Sequence, residues 1–397
     1  MTEAIGIGLA FSTKGQIAIF VAGLSVFFYL LYERKWQIFL KWQVLVGLVV
    51  FAITISPMVY AYYQQFDLHP EKIVNGQQGV SGVRFIFWNQ SFERLTGQRG
   101  MQENSDYFFF YHTFLWAFLP WSLISVIAIF VRIKEFIQIR FVKKAGYEFL
   151  TIGGLLAIFH VINLAQFKLP HYINILFPLF AILTASYLYQ LQEQGKLRAL
   201  KTIRIIQLAI ISLLAVLVIA LNMWAFPIDS IFLAIIYLGL LGVLIYQIAK
   251  KAGDYYKIVV GTALIAVFLN FMLNTNFYQK LLQYQGGYQL VKKAKAQNLD
   301  LSHTYCLDDG YSRTLDFYSQ GSNPSLSLEQ IQQKIKNDEK VSLFVYEEQK
   351  DELEQKGIRW KKSLVADHFR VSMLTPKFLN PATRDQALGK AYLLELN

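Results

Sequence analysis

Cysteine and histidine are scarce in this chain. Cys306 is the one thiol among 397 residues, which excludes an internal disulfide and a cysteine-based metal cluster. The six histidines form no HxxxH or HExxH pattern, which argues against a zinc site. No GxxxxGK[ST] phosphate loop occurs either. The sequence therefore requires no metal and no cofactor.

Charged residues are also few, at 16%, whereas 54% of the residues are apolar. This composition is typical of an integral membrane protein. The net charge of +11 could indicate a nucleic-acid partner. However, the basic residues lie in short loops between apolar runs, where they act as topology signals. We therefore expect membrane lipids, and no nucleic acid, as partners. The first fifteen residues have no basic region ahead of their apolar part and are not a signal peptide.

Eight segments are long and apolar enough to span a bilayer, which takes about 20 residues. Helices are predicted, because backbone groups in lipid must pair within their own segment. The predicted fold class is mainly α: a polytopic transmembrane bundle of about eight spans, followed by a small C-terminal α/β extracytoplasmic domain. The spans are predicted at 15–32, 43–63, 112–132, 147–165, 172–190, 204–225, 229–249 and 257–276.

Alternate connections between these spans are basic, at 34–41, 132–144, 196–204 and 250–257. By the positive-inside rule these connections face the cytoplasm. The other set then faces outward: the loop 64–111, the turns 166–172 and 225–230, and everything after about 277. The first span would begin on the outer face. Either the N-terminus lies outside, or the chain is the C-terminal part of a longer protein.

Two domains are predicted: a transmembrane domain over 1–276, with its outer-face loop 64–111, and a small soluble domain over 277–397. In the second, polar composition accompanies alternating strand-like and helix-like runs. Ser327 and Gln330 have the spacing of a capping box. Strands are predicted at 303–307 and 341–346, helices at 326–336 and 347–355, one or two strands within 360–374, and a closing strand at 391–396.

Two polar stretches carry candidate site residues. In the outer-face loop these are Trp88, Asn89, Glu93, Arg94 and Asp106, in aromatic surroundings apolar enough to lie at the membrane interface. The second stretch is the turn KLPHY, with Lys168 beside His171 and Tyr172. This turn is either a corner between helices whose lysine reaches the headgroups, or a binder of a lipid-linked phosphate.

Four motifs follow one another in the transmembrane part: GLAFSTKG at 8–15, FWNQSFER at 87–94, YHTFLWAFLPW at 111–121 and KLPHY at 168–172. In content, order and spacing they resemble bacterial polyprenyl-phosphate-dependent glycosyltransferases of the GT-C fold, the aminoarabinose-transferase and protein O-mannosyltransferase type. The resemblance covers the membrane part and extends to the C-terminal domain only by position.

The resemblance implies a reaction. A sugar would move from a polyprenyl-phosphate carrier to a lipid, glycan or protein acceptor, as in lipopolysaccharide modification, on the outer face of the bacterial inner membrane. The C-terminal domain would be periplasmic. The lipid-linked sugar donor would contact Lys14 and Lys168 through its phosphate. His171 and Tyr172 would lie beside the carrier, and Trp88, Asn89, Glu93 and Arg94 would line or cover the cavity.

One departure from this family bears on catalysis. Its acidic catalytic residue lies in the first outer loop, upstream of the first motif, and this chain begins at that motif. The resemblance therefore favours an N-terminally truncated chain, for which Glu93 and Asp106 are the remaining candidate acids. The alternative function is a non-catalytic membrane scaffold or assembly protein that displays the C-terminal domain.

A transporter is disfavoured, because the spans contain almost no ionisable residues. His160 and Asn163 are polar exceptions within one span. We interpret them as a hydrogen bond between helices.

Overall fold

A computed structural model describes residues 1–74, 77–90, 106–144, 147–166, 168–308 and 311–396. Through its internal contacts the chain divides into two compact units. The first unit comprises Met1–Leu208 and Ala252–Thr262, and the second comprises Ala209–Lys251 and Ala263–Asn397. The division passes through two long helices. The domain boundary near residue 277 is drawn from composition and stays a prediction.

The described residues include six helices long and apolar enough to cross a membrane. A seventh span is shorter, and an eighth is broken into two helices. The protein is thus a multi-pass membrane protein with about eight spans. The predicted mainly α bundle with a small C-terminal α/β domain is confirmed, and the extracytoplasmic position of that domain stays a prediction. The longer helices are α1 (Thr2–Lys14), α2 (Gln16–Glu33), α3 (Trp42–Tyr62), α4 (Phe109–Ala117), α5 (Ser122–Gln138), α6 (Leu150–Leu164), α7 (Phe177–Glu193), α8 (Leu197–Ala220), α9 (Ile231–Ala249) and α10 (Asp254–Met272).

The broken span differs from the prediction of one helix over 112–132. Helix α4 ends at Ala117 and α5 begins at Ser122, with Pro120 between them. Proline has no N–H group to donate, and its ring clashes with the preceding turn of a helix. The carbonyl of Pro120 accepts a 2.8 Å hydrogen bond from the buried side chain of Gln207. A side chain from α8 therefore provides a hydrogen-bond donor for the Pro120 carbonyl at the break between α4 and α5.

Aromatic rings fill the core of the first unit. The rings of Phe114 and Phe180 stack with centroids 4.2 Å apart, and Phe118 lies 5.6 Å from both. Such ring pairs add specific attraction to the apolar packing. This cluster joins α4 to α7.

Two of the predicted cytoplasmic connections meet in the first unit. The Tyr32 hydroxyl donates to the carbonyl of Val142 (3.2 Å) and accepts from the N–H of Lys144 (3.1 Å). Glu33 forms ion pairs with Lys143, at 2.8 Å, and with Lys35, at 3.0 Å. The contacts thus join basic connections that the charge rule assigns to one membrane face.

The second unit contains a five-stranded mixed sheet in the order β2-β1-β3-β5-β4. Strand β1 is parallel to β2 and β3, whereas β5 is antiparallel to β3 and β4. The elements are α11 (Gly286–Ala296), β1 (Thr304–Leu307), α12 (Arg313–Ser319), β2 (Ser325–Leu326), α13 (Leu328–Lys336), β3 (Ser342–Tyr346), α14 (Glu347–Gln355), β4 (Lys362–His368) and β5 (Gly389–Glu395).

Most predicted elements of this domain are confirmed. The capping box is present, because Ser327 accepts from the N–H of Gln330 and the Gln330 side chain accepts from the N–H of Ser327. The elements α11, α12 and β2 were not predicted.

Arg384 anchors this domain to the turn after α8, within the second unit. Its guanidinium donates to the carbonyls of Ala225 (2.5 Å) and Phe378 (2.9 Å). It also lies over the Phe226 ring, 4.4 Å from the centroid. Arginine suits this position, because its planar fork hydrogen bonds and stacks at once.

Candidate functional site

The first candidate cation, Lys14, is the last residue of α1. Gly15 follows with φ 69° and ψ −151°, a conformation that only glycine adopts readily, and α2 then begins at Gln16. This turn leaves Lys14 exposed. Its ammonium lies 5.9 Å from the centroid of the Tyr172 ring, within the range of a cation–π interaction. The structure therefore brings two of the candidate residues together from distant parts of the sequence.

The second candidate cation, Lys168, is buried, with 4% of its surface exposed. Its ammonium donates a 3.1 Å hydrogen bond to the backbone carbonyl of Asp106. Burial disfavours the charged form and holds the pKa of Lys168 below its usual value, and the nearby Asp106 carboxylate opposes that effect. A phosphate group beside Lys168 would favour its charged form, because opposite charges attract.

Pro170 sets the backbone that presents Lys168. A residue that precedes proline is disfavoured in helical conformations, and Leu169 is extended, with φ −127° and ψ 143°. The 3₁₀ helix Pro170–Leu176 then begins with proline in its first turn, where a missing N–H carries no cost. The predicted site residues His171 and Tyr172 come directly after Pro170. His171 is exposed, and its ring packs edge-on against the half-buried Tyr172 at 4.8 Å.

The segment 82–90 packs against the junction of α1 and α2. The side chain of Gln16 donates a 2.9 Å hydrogen bond to the carbonyl of Ile86. Ile86 is buried with Phe11, whose ring also lies 5.6 Å from Phe87. A Cβ placed on Gly15 would lie 3.0 Å from the Gln90 side-chain oxygen. The segment that carries two of the predicted residues is therefore held beside Lys14.

Those two residues differ in exposure. Trp88 has 55% of its surface exposed, whereas Asn89 is half-buried. An exposed tryptophan at the end of apolar helices is typical of a membrane interface or of a surface that stacks on sugars. Glu93 and Arg94, which were predicted to line the same cavity, lie outside the described residues.

Asp106 is the other candidate acid. Its carboxylate accepts a 3.0 Å hydrogen bond from the N–H of Phe108. This is a local hydrogen bond of the Asx-turn type, directly before α4. Its backbone carbonyl accepts from Lys168 at the same time. Asp106 therefore joins the outer-face loop to the KLPHY turn, and its side chain is exposed.

The interpretation of His160 and Asn163 is confirmed. Asn163 accepts a 3.3 Å hydrogen bond from the N–H of Phe110, and His160 Nε2 lies 3.4 Å from the Tyr111 hydroxyl. His160 Nδ1 lies 2.7 Å from the Leu156 carbonyl and must be its donor, so neutral His160 can accept at Nε2. The two pairs fix α4 against α6 and thereby position Asp106.

Sequence reasoning missed two polar residues that support the site. One is Gln16, and its position directly after the KG pair of the first motif was an available signal. The other is Asp67, whose carboxylate accepts from the Ser81 hydroxyl (2.5 Å) and from the N–H groups of Gly82 (2.9 Å) and Val83 (3.2 Å). No local pattern links Asp67 to residues so far ahead in the chain.

Together these contacts define a candidate lipid-phosphate site: Lys14, Lys168, His171 and Tyr172, flanked by residues 85–90. Lys14 lies over the Tyr172 ring, and Lys168 lies four residues before Tyr172 in the same turn. Lysine binds phosphate as a point charge, and histidine and tyrosine can donate hydrogen bonds to phosphate oxygens. Within the described ranges no group of three or more His, Cys, Asp or Glu residues is arranged to hold a metal ion.

Two solved structures match nearly the whole chain. Both are crystal structures of ArnT from Cupriavidus metallidurans, one bound to undecaprenyl phosphate and one in the apo state. The TM-scores are 0.63 and 0.62, each at 16% sequence identity. The matches cover 98% of this chain and 68% or 67% of the ArnT chain, respectively.

The chain has the fold of ArnT. The resemblance to polyprenyl-phosphate-dependent GT-C glycosyltransferases of the aminoarabinose-transferase type is thus confirmed at the level of the fold. No protein-family model matches the sequence, and no curated protein matches it either. The likeness to ArnT therefore lies in the arrangement of helices and sheet rather than in overall sequence identity.

Proposed function

We propose that this protein is a membrane glycosyltransferase. It transfers a sugar from a polyprenyl-phosphate carrier to a lipid, glycan or protein acceptor, on the outer face of the bacterial inner membrane. The observation that carries the proposal is the placement of Lys14 over Tyr172, a residue of the turn that holds the buried Lys168, in the fold of a protein that has been crystallised with undecaprenyl phosphate. The C-terminal α/β domain is periplasmic in this proposal.

The two lysines act on the leaving group. The acceptor oxygen attacks the anomeric carbon, the bond from that carbon to the phosphate oxygen breaks, and the carrier phosphate leaves with the electron pair. Lys14 and Lys168 stabilise the negative charge that develops there. The acceptor proton passes to a carboxylate. Glu93 and Asp106 are the candidates for that base in this chain.

His171 and Tyr172 orient the carrier. Each has a polar tip on an apolar ring, so each can contact the polyprenyl chain and the phosphate at once. Trp88 and Asn89 cover the sugar in this proposal, together with Glu93 and Arg94. Stacking on an exposed tryptophan and hydrogen bonding to an amide are common ways to hold a sugar.

The experiment that tests the function is sugar transfer in membranes that contain the full chain, with a panel of labelled polyprenyl-phosphate sugars. We expect transfer by the wild type and a loss of about tenfold or more in Lys168→Ala, since a charge-assisted hydrogen bond contributes about 1.5–3 kcal/mol. Lys41→Ala, an exposed lysine in a predicted cytoplasmic connection, is the matched control and should retain the wild-type rate.

The hydrogen bond of Asp106 favours one alternative. Because the N–H of Phe108 engages one oxygen of this carboxylate, Asp106 is less free to turn toward an acceptor, and the cation site could still bind carrier lipid. The chain would then be a non-catalytic scaffold that displays its C-terminal domain. Carrier binding without transfer of any sugar in the panel would support this alternative against the enzyme.

A further inference from the structure

Three large apolar side chains are exposed near the start of the C-terminal α/β domain. They lie on or just before α12: Tyr311 is 53% exposed, Phe317 75% and Tyr318 36%. The Tyr288 and Tyr318 rings are also in contact, with centroids 4.8 Å apart. A soluble domain rarely exposes several aromatic rings together unless they meet a partner surface.

Close packing fixes this group near the end of a membrane span. A Cβ placed on Gly287 would lie 2.9 Å from both the Ser312 Oγ and the Leu315 nitrogen, so α11 and α12 approach as only glycine permits. Gly287 follows Tyr284, the last residue of the span Asp254–Tyr284, by three residues. Three residues reach at most about 11 Å. The aromatic group therefore lies close to the C-terminal end of the helix that contains the last span.

A second exposed apolar pair lies in the loop 370–377. Met373 is 58% exposed and Leu374 42%. Both ends of the loop contact the same span residue: the N–H of Phe369 donates to the Tyr284 carbonyl at 2.8 Å, and the Phe378 ring lies 5.1 Å from the Tyr284 ring. The loop therefore cannot extend far from the span end either.

Cations accompany both groups. Arg313, Arg370 and Lys377 are exposed. Asp316, an acid within α12, already accepts hydrogen bonds from the N–H and the side chain of Asn323, both at 2.8 Å, and from the Tyr311 hydroxyl. Aromatic rings with cations at the end of a span are typical of residues in the headgroup layer.

We propose that this apolar rim inserts into the headgroup layer of the anionic bilayer that the spans cross, with the three cations on lipid phosphates. The rim consists of Tyr311, Phe317, Tyr318, Met373 and Leu374. The bilayer is the occupant, because both parts of the rim are tied within a few residues of Tyr284, at the end of the helix that contains the last span. The domain is thereby held against the membrane by more than its covalent connection. This inference does not depend on the proposed reaction.

Spin labels test the proposal on the full chain in lipid nanodiscs. Cys306 is fully buried, so a label reacts at an introduced thiol. Phe317→Cys and Met373→Cys probe the two parts of the rim independently. Glu354→Cys, at an exposed position in the last turn of α14, is the matched control. The spin label collides often with molecular oxygen when it lies in lipid. It collides often with a water-soluble nickel chelate when it lies in solvent.

The expected result is an oxygen-to-chelate ratio at 317 and 373 that is several times the ratio at 354. Equal, water-like ratios at all three positions would overturn the proposal. Labels at 317 and 373 shielded from both reagents would also overturn it, because they would indicate a protein partner in place of lipid.

A separate comparison tests whether the charge of the lipid headgroups contributes to the insertion of the rim. Replacing part of the phosphatidylcholine with phosphatidylglycerol should raise the ratio at 317 and 373, and the double substitution Arg313→Gln and Arg370→Gln should remove that rise. A ratio that does not respond to lipid charge would contradict the assignment of an anionic surface. Circular dichroism of each variant confirms that the domain is folded.

Discussion

Lys168 is a buried lysine at the edge of a membrane span. Its ammonium donates to the Asp106 carbonyl, and burial lowers its pKa. Lys14 is exposed and faces the Tyr172 ring. The two lysines therefore play different parts. Lys14 can attract a phosphate from solvent or headgroup layer, whereas Lys168 gains most from its arrival.

This difference predicts a pH dependence of carrier binding. A bound phosphate favours charged Lys168, so affinity should be constant below the lowered pKa of Lys168 and should fall as pH rises through it. Lys168→Arg should bind carrier across the whole range, because a guanidinium stays charged. The measurement is the Kd for undecaprenyl phosphate between about pH 7 and pH 10, above the second pKa of phosphate. An identical pH profile in wild type and Lys168→Arg would contradict the role of Lys168.

At the scale of the element, the site depends on residues at helix ends whose backbone conformation is not α-helical. Gly15 separates α1 from α2 with a conformation close to glycine-only, and Pro170 starts a 3₁₀ turn after an extended residue. Each irregular end places a lysine two residues or fewer away. If the helices continued through these positions, the side chains of Lys14 and Lys168 would be rotated about the helix axis. They would then point away from the site.

Substitution of Gly15 tests this view. Gly15→Ala should destabilise the protein by about 1–3 kcal/mol, because an L-residue is strained at that φ and ψ, and it should weaken carrier binding by displacing Lys14. Gly23→Ala within α2 is the matched control, because a Cβ there meets nothing within 4 Å and alanine favours helix. Thermal unfolding in nanodiscs measures the stability of the two variants, and the Kd for undecaprenyl phosphate measures their carrier binding. Equal stability of the two variants would show that the Gly15 turn is not required.

The sequence predicted the spans well, because long apolar runs report membrane helices directly. It could not predict the break between α4 and α5, since Pro120 is tolerated inside membrane helices when a neighbour satisfies the backbone, here Gln207. Helix α11 was missed, although Leu290, Val291 and Ala294 recur at helical spacing on its buried face. Strand β2 has two residues and leaves no periodicity.

At the scale of the whole molecule, the fold of ArnT is present at 16% identity. A membrane bundle needs apolar length and compatible packing, which many sequences supply, so most positions can differ. The motifs that suggested the family nominated Lys14, Lys168, His171 and Tyr172 for the site. That Lys14 would reach Tyr172 depends on tertiary packing and cannot be read from local sequence. The partner of Gln16, Ile86, also depends on tertiary packing, although the position of Gln16 after the first motif was a signal.

The most direct test of the account is binding of undecaprenyl phosphate to the full chain in nanodiscs. Wild type is compared with the double variant Lys14→Ala and Lys168→Ala, and with a control that removes two exposed lysines from predicted cytoplasmic connections, Lys41→Ala and Lys134→Ala. We predict that the site variant loses about tenfold or more in affinity for each lysine removed, while the control binds like wild type. A folded site variant that binds as tightly as the control would contradict the lipid-phosphate site.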